Sequence, residues 1–267
     1  MYRRSKTVLL CTWSIAFLAC AAGAVLISRN VAVTAGQTLT QSRPAGKVRN
    51  LSLQPEAFKL SRRLGSRFAP SRQLTSMLSG TLTTGTVQQT VTITRQQTSS
   101  GEDVQVAIAG EAATLAWSDL EGSKAPGATL SEAQQTLIER LALDTPDQFV
   151  LAQLRGASYY TVAHNVRADA GGSDNYDGPL WDVVRVEEPQ SESAQRLLSN
   201  SRLYYINLQT GLIDKIVSEL KGETIEANII QWSEQAGEKL PSHVTWKRGN
   251  ETVQEFRLTS ASLQPQQ

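Results

Sequence analysis

The sequence predicts an α+β fold that is mainly β: a large curved antiparallel sheet with a few helices packed on one face. Three observations lead there. Apolar and polar residues alternate with a period of two in many short segments, as in strands with one buried side. Several connections between these segments are short and contain glycine, which favours hairpins. Only two consecutive helix patterns interrupt the strands, too few for the crossovers of a parallel sheet.

The chain begins with a different kind of segment. Met1–Lys6 is basic, and Val8–Ile27 follows as twenty residues without a charge. As a helix such a run covers about 30 Å, roughly the hydrocarbon thickness of a bilayer. It exceeds the roughly 7–15 residues of a usual signal-peptide core, so a cleaved signal and a retained anchor both stay open. Small-residue cleavage sites end at Ala24 and Ala35. Arg3, Arg4 and Lys6 precede the run and Arg29 follows it, which keeps the N-terminus in the cytoplasm and sends the rest across. Phe17-Leu18-Ala19-Cys20 faintly resembles a lipobox, but the apolar run continues well past Cys20, against that reading. Residues 1–35 are expected to be a signal peptide or N-terminal membrane anchor, 36–50 a flexible linker, and 51–267 a single β-rich domain. The expected location is the periplasm or cell envelope, with inner-membrane anchoring if the segment is retained.

Composition narrows the chemistry. The 267 residues are 40% hydrophobic and 19% charged, with net charge +1, ordinary for a globular protein. Both cysteines, Cys11 and Cys20, lie in the N-terminal run. A cleaved chain would hold no thiol, which excludes disulfides, thiolate metal sites and a cysteine nucleophile together. His164 and His243 are the only imidazoles.

A helix is expected at Gln54–Phe68, where Leu53, Ala57, Leu60, Leu64 and Phe68 make one stripe. Lys59, Arg62, Arg63 and Arg67 gather elsewhere on it. Residues 36–73 hold eight basic residues against Glu56, whereas residues from Leu74 onward hold 14 basic and 24 acidic ones. The basic stretch reads either as a solvated helix face or as an attraction to anionic lipid head groups. Nucleic acid is not expected as a partner, because the body is acidic and the protein exported.

Strands follow at Leu78–Thr83, Val87–Arg95 and Val104–Ala109, with Ala113–Ser118 as a fourth. Two short helices come next. Thr129-Leu130-Ser131-Glu132 fits a capping box, and Thr145-Pro146-Asp147-Gln148 repeats the device with proline at the first helical position. Gly156 is a plausible stop. The remainder is β-like again: Tyr159–Val166, Leu180–Val186, Leu203–Asn207, Leu212–Leu220, Thr224–Ser233, His243–Lys247 and Thr252–Leu258. Gln209-Thr210-Gly211 and Arg248-Gly249-Asn250 are the expected tight connections.

No catalytic constellation stands out. There is no nucleophile elbow, zinc-protease helix, phosphate loop or dinucleotide fingerprint. The acidic loop Asp169–Gly178 could offer Asp174, Asn175 and Asp177 to calcium, but its spacing departs from an EF-hand and a solvated connection fits better. Glu187-Glu188 at a strand end would point to opposite faces, making poor acid/base partners. No cofactor or metal and no enzymatic activity are expected. Trp117, Trp181, Trp232 and Trp246 fall in strand patterns, as core residues or as the walls of an apolar cavity. The candidate lining of such a cavity is Val91, Ile93, Val106, Ile108, Trp117, Trp181, Ile216, Ile230, Trp232, Trp246 and Phe256.

One region resembles a known family. The segment Arg202-Leu-Tyr-Tyr-Ile-Asn-Leu-Gln-Thr-Gly-Leu-Ile213 looks like the strand, Thr-Gly-Leu, strand hairpin of exported lipoprotein-sorting proteins of the LolA/LolB kind. The following Ile225–Trp232, Gly237-Glu-Lys-Leu-Pro241 and Val244–Gly249 are similar to the same family's later strands and turns. The resemblance covers about Arg202–Leu263; the long segment Ala125–Gly178 departs from it. It implies a half-open β-barrel whose concave face, closed by helices, holds acyl chains. The functional expectation is therefore a non-catalytic envelope module binding lipid or another hydrophobic ligand. The alternative is a structural or adaptor protein with a solid core that binds another protein.

Overall fold

The computed structural model describes residues 55–68, 74–98, 101–111, 114–118, 122–124, 129–167, 178–189 and 198–265. They fall in one compact unit, Leu51–Gln267, the other unit being Met1–Asn50. The expected signal or anchor (1–35), the linker (36–50) and most of the Asp169–Gly178 loop lie outside the described residues. Among the described residues no helix is long and apolar enough to cross a membrane.

Twelve strands form one antiparallel sheet: β1 (Leu74–Thr84), β2 (Val87–Thr98), β3 (Gly101–Ile108), β4 (Leu115–Ser118), β5 (Gly122–Lys124), β6 (Ser158–Arg167), β7 (Leu180–Glu187), β8 (Ser201–Asn207), β9 (Ile213–Leu220), β10 (Glu223–Gln235), β11 (Glu238–Arg248) and β12 (Glu251–Pro265). Their order is β5-β4-β3-β2-β1-β12-β11-β10-β9-β8-β7-β6. Two meanders thus join where the first strand pairs with the last, and among the described residues β5 and β6 stand at the two ends of the order. The sheet does not close into a barrel.

Local chemistry sets these strands. Val91 and Ile93 in β2, and Val104, Val106 and Ile108 in β3, are buried while their neighbours point outward, the period-two pattern of a half-buried strand. The expected hairpins form, with Gly211 and Gly249 at φ +64 and +57, a region that favours glycine. At Gly80 the β1–β12 register slips. A side chain there would lie 2.4 Å from the Arg257 carbonyl and 2.6 Å from the Phe256 ring, so only glycine lets the two strands meet this closely.

Among the described residues three helices accompany the sheet: α1 (Pro55–Leu64), α2 (Glu132–Leu143) and α3 (Pro146–Leu151); a 3₁₀ turn, Ser66–Phe68, follows α1. The α1 stripe lands as expected, with Ala57, Leu60 and Leu64 buried, and α1 packs on α3 and β11. The α2 cap is placed differently from the expectation. Ser131, not Thr129, is the N-cap, and Gln134 completes the capping box. Thr145 is the α3 N-cap with Pro146 next, but its side chain makes no capping bond. The Gln148 backbone amide donates to the Thr145 carbonyl instead, and the Gln148 side chain is taken up by Glu102 and Arg155. One continuous core joins Leu60 and Leu64 of α1, Ile138 and Leu141 of α2, and Phe149 of α3 to the inward residues of the sheet.

Candidate ligand-binding site

The inner face of the sheet is largely filled by the chain's own helices. What remains is an apolar cavity of about 50 Å³ where β1, β2, β11 and β12 meet α2 and α3. Leu78, Ile93, Leu141, Val244, Trp246 and Phe256 make its walls, and Asp144 and Asp147 lie at its margin. The strand register explains the grouping. Leu78 faces Ile93 across β1–β2, and Val244 faces Phe256 across β11–β12.

Charged side chains fasten the helices around this cavity. Arg67, in the turn after α1, bonds Asp147 at 2.7 Å and Glu238 of β11 at 3.1 Å. Burial disfavours its charge, but the two carboxylates more than offset this and hold its pKa above the ordinary value. Arg95 of β2 bonds Glu102 at 2.7 Å and also donates to the Leu141 carbonyl at the end of α2. From Glu102 a polar chain continues through Gln148 (3.0 Å), Arg155 (2.7 Å) and Glu188 (2.9 Å). Arg202 of β8 lies 4.0 Å from Glu188 and bonds Asp144 at 3.3 Å. Six strands separate β3 from β8 in the sheet order. A chain of side chains spans that gap through α3, so the sheet bends around the helices it encloses.

A second, wider space opens at one end of the sheet. This cleft, about 890 Å³, lies between α2 and the turns joining β1–β2, β9–β10 and β11–β12. Ile108, Leu137 and Leu220 give it apolar wall; Arg140 and Gln254 give it polar wall. Successive residues of α2 serve the two spaces, Arg140 the cleft and Leu141 the cavity.

The residues expected to line a cavity are distributed as follows. Ile93, Trp246 and Phe256 line the inner cavity and Ile108 the cleft. Val91, Val106, Trp117 and Ile216 are buried in the packed core. Trp232 is partly buried against that core. Two positions need correction. Ile230 is 53% exposed: alternation along β10 buries Ile225, Ala227 and Ile229 and turns Ile230 outward, and the register irregularity that follows Ile229 brings Trp232 back toward the core. Trp181 stands on the outer face, edge-on to Tyr205 at 5.8 Å and beneath Lys215. Strand alternation sends Val184 and Tyr204 inward and their neighbours Val183 and Tyr205 the other way.

Sequence reading missed the charged residues inside. Arg67 looks like part of a solvated basic helix face and Glu188 like a surface carboxylate, yet both are enclosed in ion pairs. The expected helix runs on to Phe68, whereas α1 ends at Leu64 and Arg67 falls in the following 3₁₀ turn, off the basic face. His164 is exposed beside Asp182, and His243 bonds Glu255 at 2.8 Å. Among the described residues no cluster of histidine, cysteine or carboxylate side chains could hold a metal ion.

Fold and site together define a class: an unclosed antiparallel sheet bent around its own helices, with apolar space retained inside. No family model and no curated protein matches the chain. Solved structures show partial similarity. A DUF1329 family protein from Desulfovibrio piger is similar at TM-score 0.46 and 9% identity, over 79% of this chain and 91% of that one. An outer membrane lipoprotein-sorting protein domain from Vibrio parahaemolyticus is similar at TM-score 0.47 and 7% identity, over 78% and 92%. A LolA superfamily protein from Nitrosomonas europaea is similar at TM-score 0.45 and 8% identity, over 79% and 94%.

Proposed function

We propose that this chain is an exported, non-catalytic module of the cell envelope that takes the apolar part of a ligand, such as a lipid acyl chain, between the inner sheet face and the α2–α3 pair. The observation that carries this reading is the apolar cavity walled by Leu78, Ile93, Leu141, Val244, Trp246 and Phe256. Each methylene buried there contributes about 0.8 kcal/mol. At about 50 Å³ the cavity is smaller than the roughly 150 Å³ that accepts a benzene ring. A full chain therefore enters only as α2 and α3 move off the sheet. The basic, uncharged, then polar order of residues 1–50 supports export, and a retained segment 8–27 would hold the module at the inner membrane.

The test is native mass spectrometry and solvent extraction of the full chain purified from membranes. Wild type carries extractable lipid, and Val244→Phe, which fills the cavity, loses it while keeping its circular dichroism spectrum. Ligand-free wild type would sink the proposal.

The narrowness of the cavity favours a second reading, an envelope adaptor with a solid core. Its partner would meet β6, the last strand in the order of the described residues, where Tyr160 and Val162 are exposed. A cross-linked partner that survives Val244→Phe and is lost on a change at Tyr160 would select this reading.

A further inference from the structure

Arg140 occupies an unusual position. It is 7% exposed, and its Nε has no hydrogen-bond partner among the described residues. Taking a guanidinium out of water costs several kcal/mol unless a negative group answers it. Asp144, one turn further along α2, is already engaged: its Oδ1 accepts from Arg202 at 3.3 Å and its Oδ2 from Ser218 at 3.5 Å. Burial disfavours the charged form of Arg140, Asp144 partly offsets this, and Arg248 adds repulsion.

The surroundings point the same way. Arg140 lines the 890 Å³ cleft, a volume within the range of ligand pockets, together with Ile108, Leu137 and Leu220. Gln254 lines it too, buried, with its Oε1 unpartnered. The other charges of the cleft are arranged differently. Lys221 pairs with Glu132, and Arg248 pairs with Glu223 at 3.0 Å. These four side chains are about half exposed or more, and Glu111 is exposed at the rim. The paired rim charges cancel, and the enclosed cation is left facing a partly greasy wall.

We propose that this cleft seats the head of an anionic amphiphile. A carboxylate or phosphate oxygen accepts from the Arg140 guanidinium, and the hydrocarbon lies along Leu137, Ile108 and Leu220. The inference rests on the apolar-ligand reading and names its ligand class. It also assigns a direction: the head stays at the open end, and the tail runs toward Leu141 and the inner cavity.

The experiment is calorimetric titration and thermal unfolding of the full chain with laurate, dodecyl phosphate, dodecanol, acetate and inorganic phosphate. Laurate and dodecyl phosphate are expected to bind at least tenfold more tightly than dodecanol, while acetate and inorganic phosphate give no shift. Arg140→Gln loses that preference, yet its ligand-free melting temperature is unchanged or higher, because the substitution removes a buried charge that Asp144 offsets only in part. Arg140→Lys keeps much of the preference. Dodecanol binding as tightly as laurate overturns the anionic head and leaves the apolar reading intact. Acetate or phosphate binding as tightly as laurate overturns the amphiphile. No binding by any compound overturns both readings. Preference retained in Arg140→Gln also overturns the proposal, whatever that variant's stability.

Discussion

Arg155 donates through Nε and Nη2 to the two oxygens of Glu188, at 2.9 Å each, and so ties the turn after α3 to the end of β7. Both side chains are less than one-tenth exposed. Removing one member of an enclosed pair strands the other charge and typically costs about 3–5 kcal/mol. Glu188→Ala is therefore expected to lower the unfolding free energy by about that much in urea titrations. Glu188→Gln should cost less, because it still accepts a hydrogen bond. A loss below about 1 kcal/mol, the level of solvated pairs, would show that α3 is not held in this way.

Glu238 performs a similar task at the other end of the helical layer. Its carboxylate accepts from the Ser66 amide at 2.8 Å, the Ser66 hydroxyl at 2.7 Å, the Arg67 amide at 3.2 Å and Arg67 Nη1 at 3.1 Å. The carboxylate crowds Gly65, where a Cβ would fall 2.0 Å from Glu238 Oε2 and φ is +128. Glu238→Ala is expected to destabilise by about 3–5 kcal/mol. Gly65→Ala should do so by at least about 1–3 kcal/mol, through backbone strain and overpacking. Equilibrium denaturation measures both. A neutral Gly65→Ala would mean that α1 docks without this contact.

Much of the sheet was legible because alternation is a local signal. Val91, Ile93, Val104 and Val106 announce their buried face within a few residues. Trp181 did not, because Leu180–Val186 is apolar on both faces and nothing nearby says which one meets the helices. Ile230 failed for a different reason: it shares the parity of Trp232, and the register irregularity between Ile229 and Trp232 breaks that parity without leaving a mark in the composition. The enclosed charges were the least legible. Arg95 and Glu102 share a hairpin, but Gln148, Glu188 and Arg202 lie far from them along the chain, and each alone resembles a solvated residue. Only the bend of the sheet brings them together. The Arg140 cleft depends on three turns distant in sequence and is hidden for the same cause.

Gly80 offers a test of the β1–β12 join. Alanine there would meet the Phe256 ring and the Arg257 carbonyl, both under 3.0 Å from the new Cβ. Because Phe256 is also a cavity wall, Gly80→Ala is expected to cost about 1–3 kcal/mol and to weaken binding of any apolar ligand. Comparing denaturation midpoints with ligand titrations separates the two effects. Unchanged stability would place the strand junction elsewhere.

Alkaline titration tests the packing between α3 and β6–β8. Phe149 lies edge-on to Tyr159 at 5.2 Å and to Tyr204 at 5.0 Å, and the Tyr159 hydroxyl donates to the Phe149 carbonyl. Burial, first of all, holds both phenols well above their ordinary value. The native state then keeps these protons while the unfolded chain releases them near pH 10. Stability from these groups is fully present below pH 10 and falls as pH climbs toward their native values. Tyr204→Phe removes one of the two groups, so its stability should decline less steeply with pH above 10 than that of wild type. The measurement is a series of urea titrations across that range, read beside phenolate absorbance. Parallel slopes for the two proteins would mean that Tyr204 ionises freely and that α3 does not seal this part of the core.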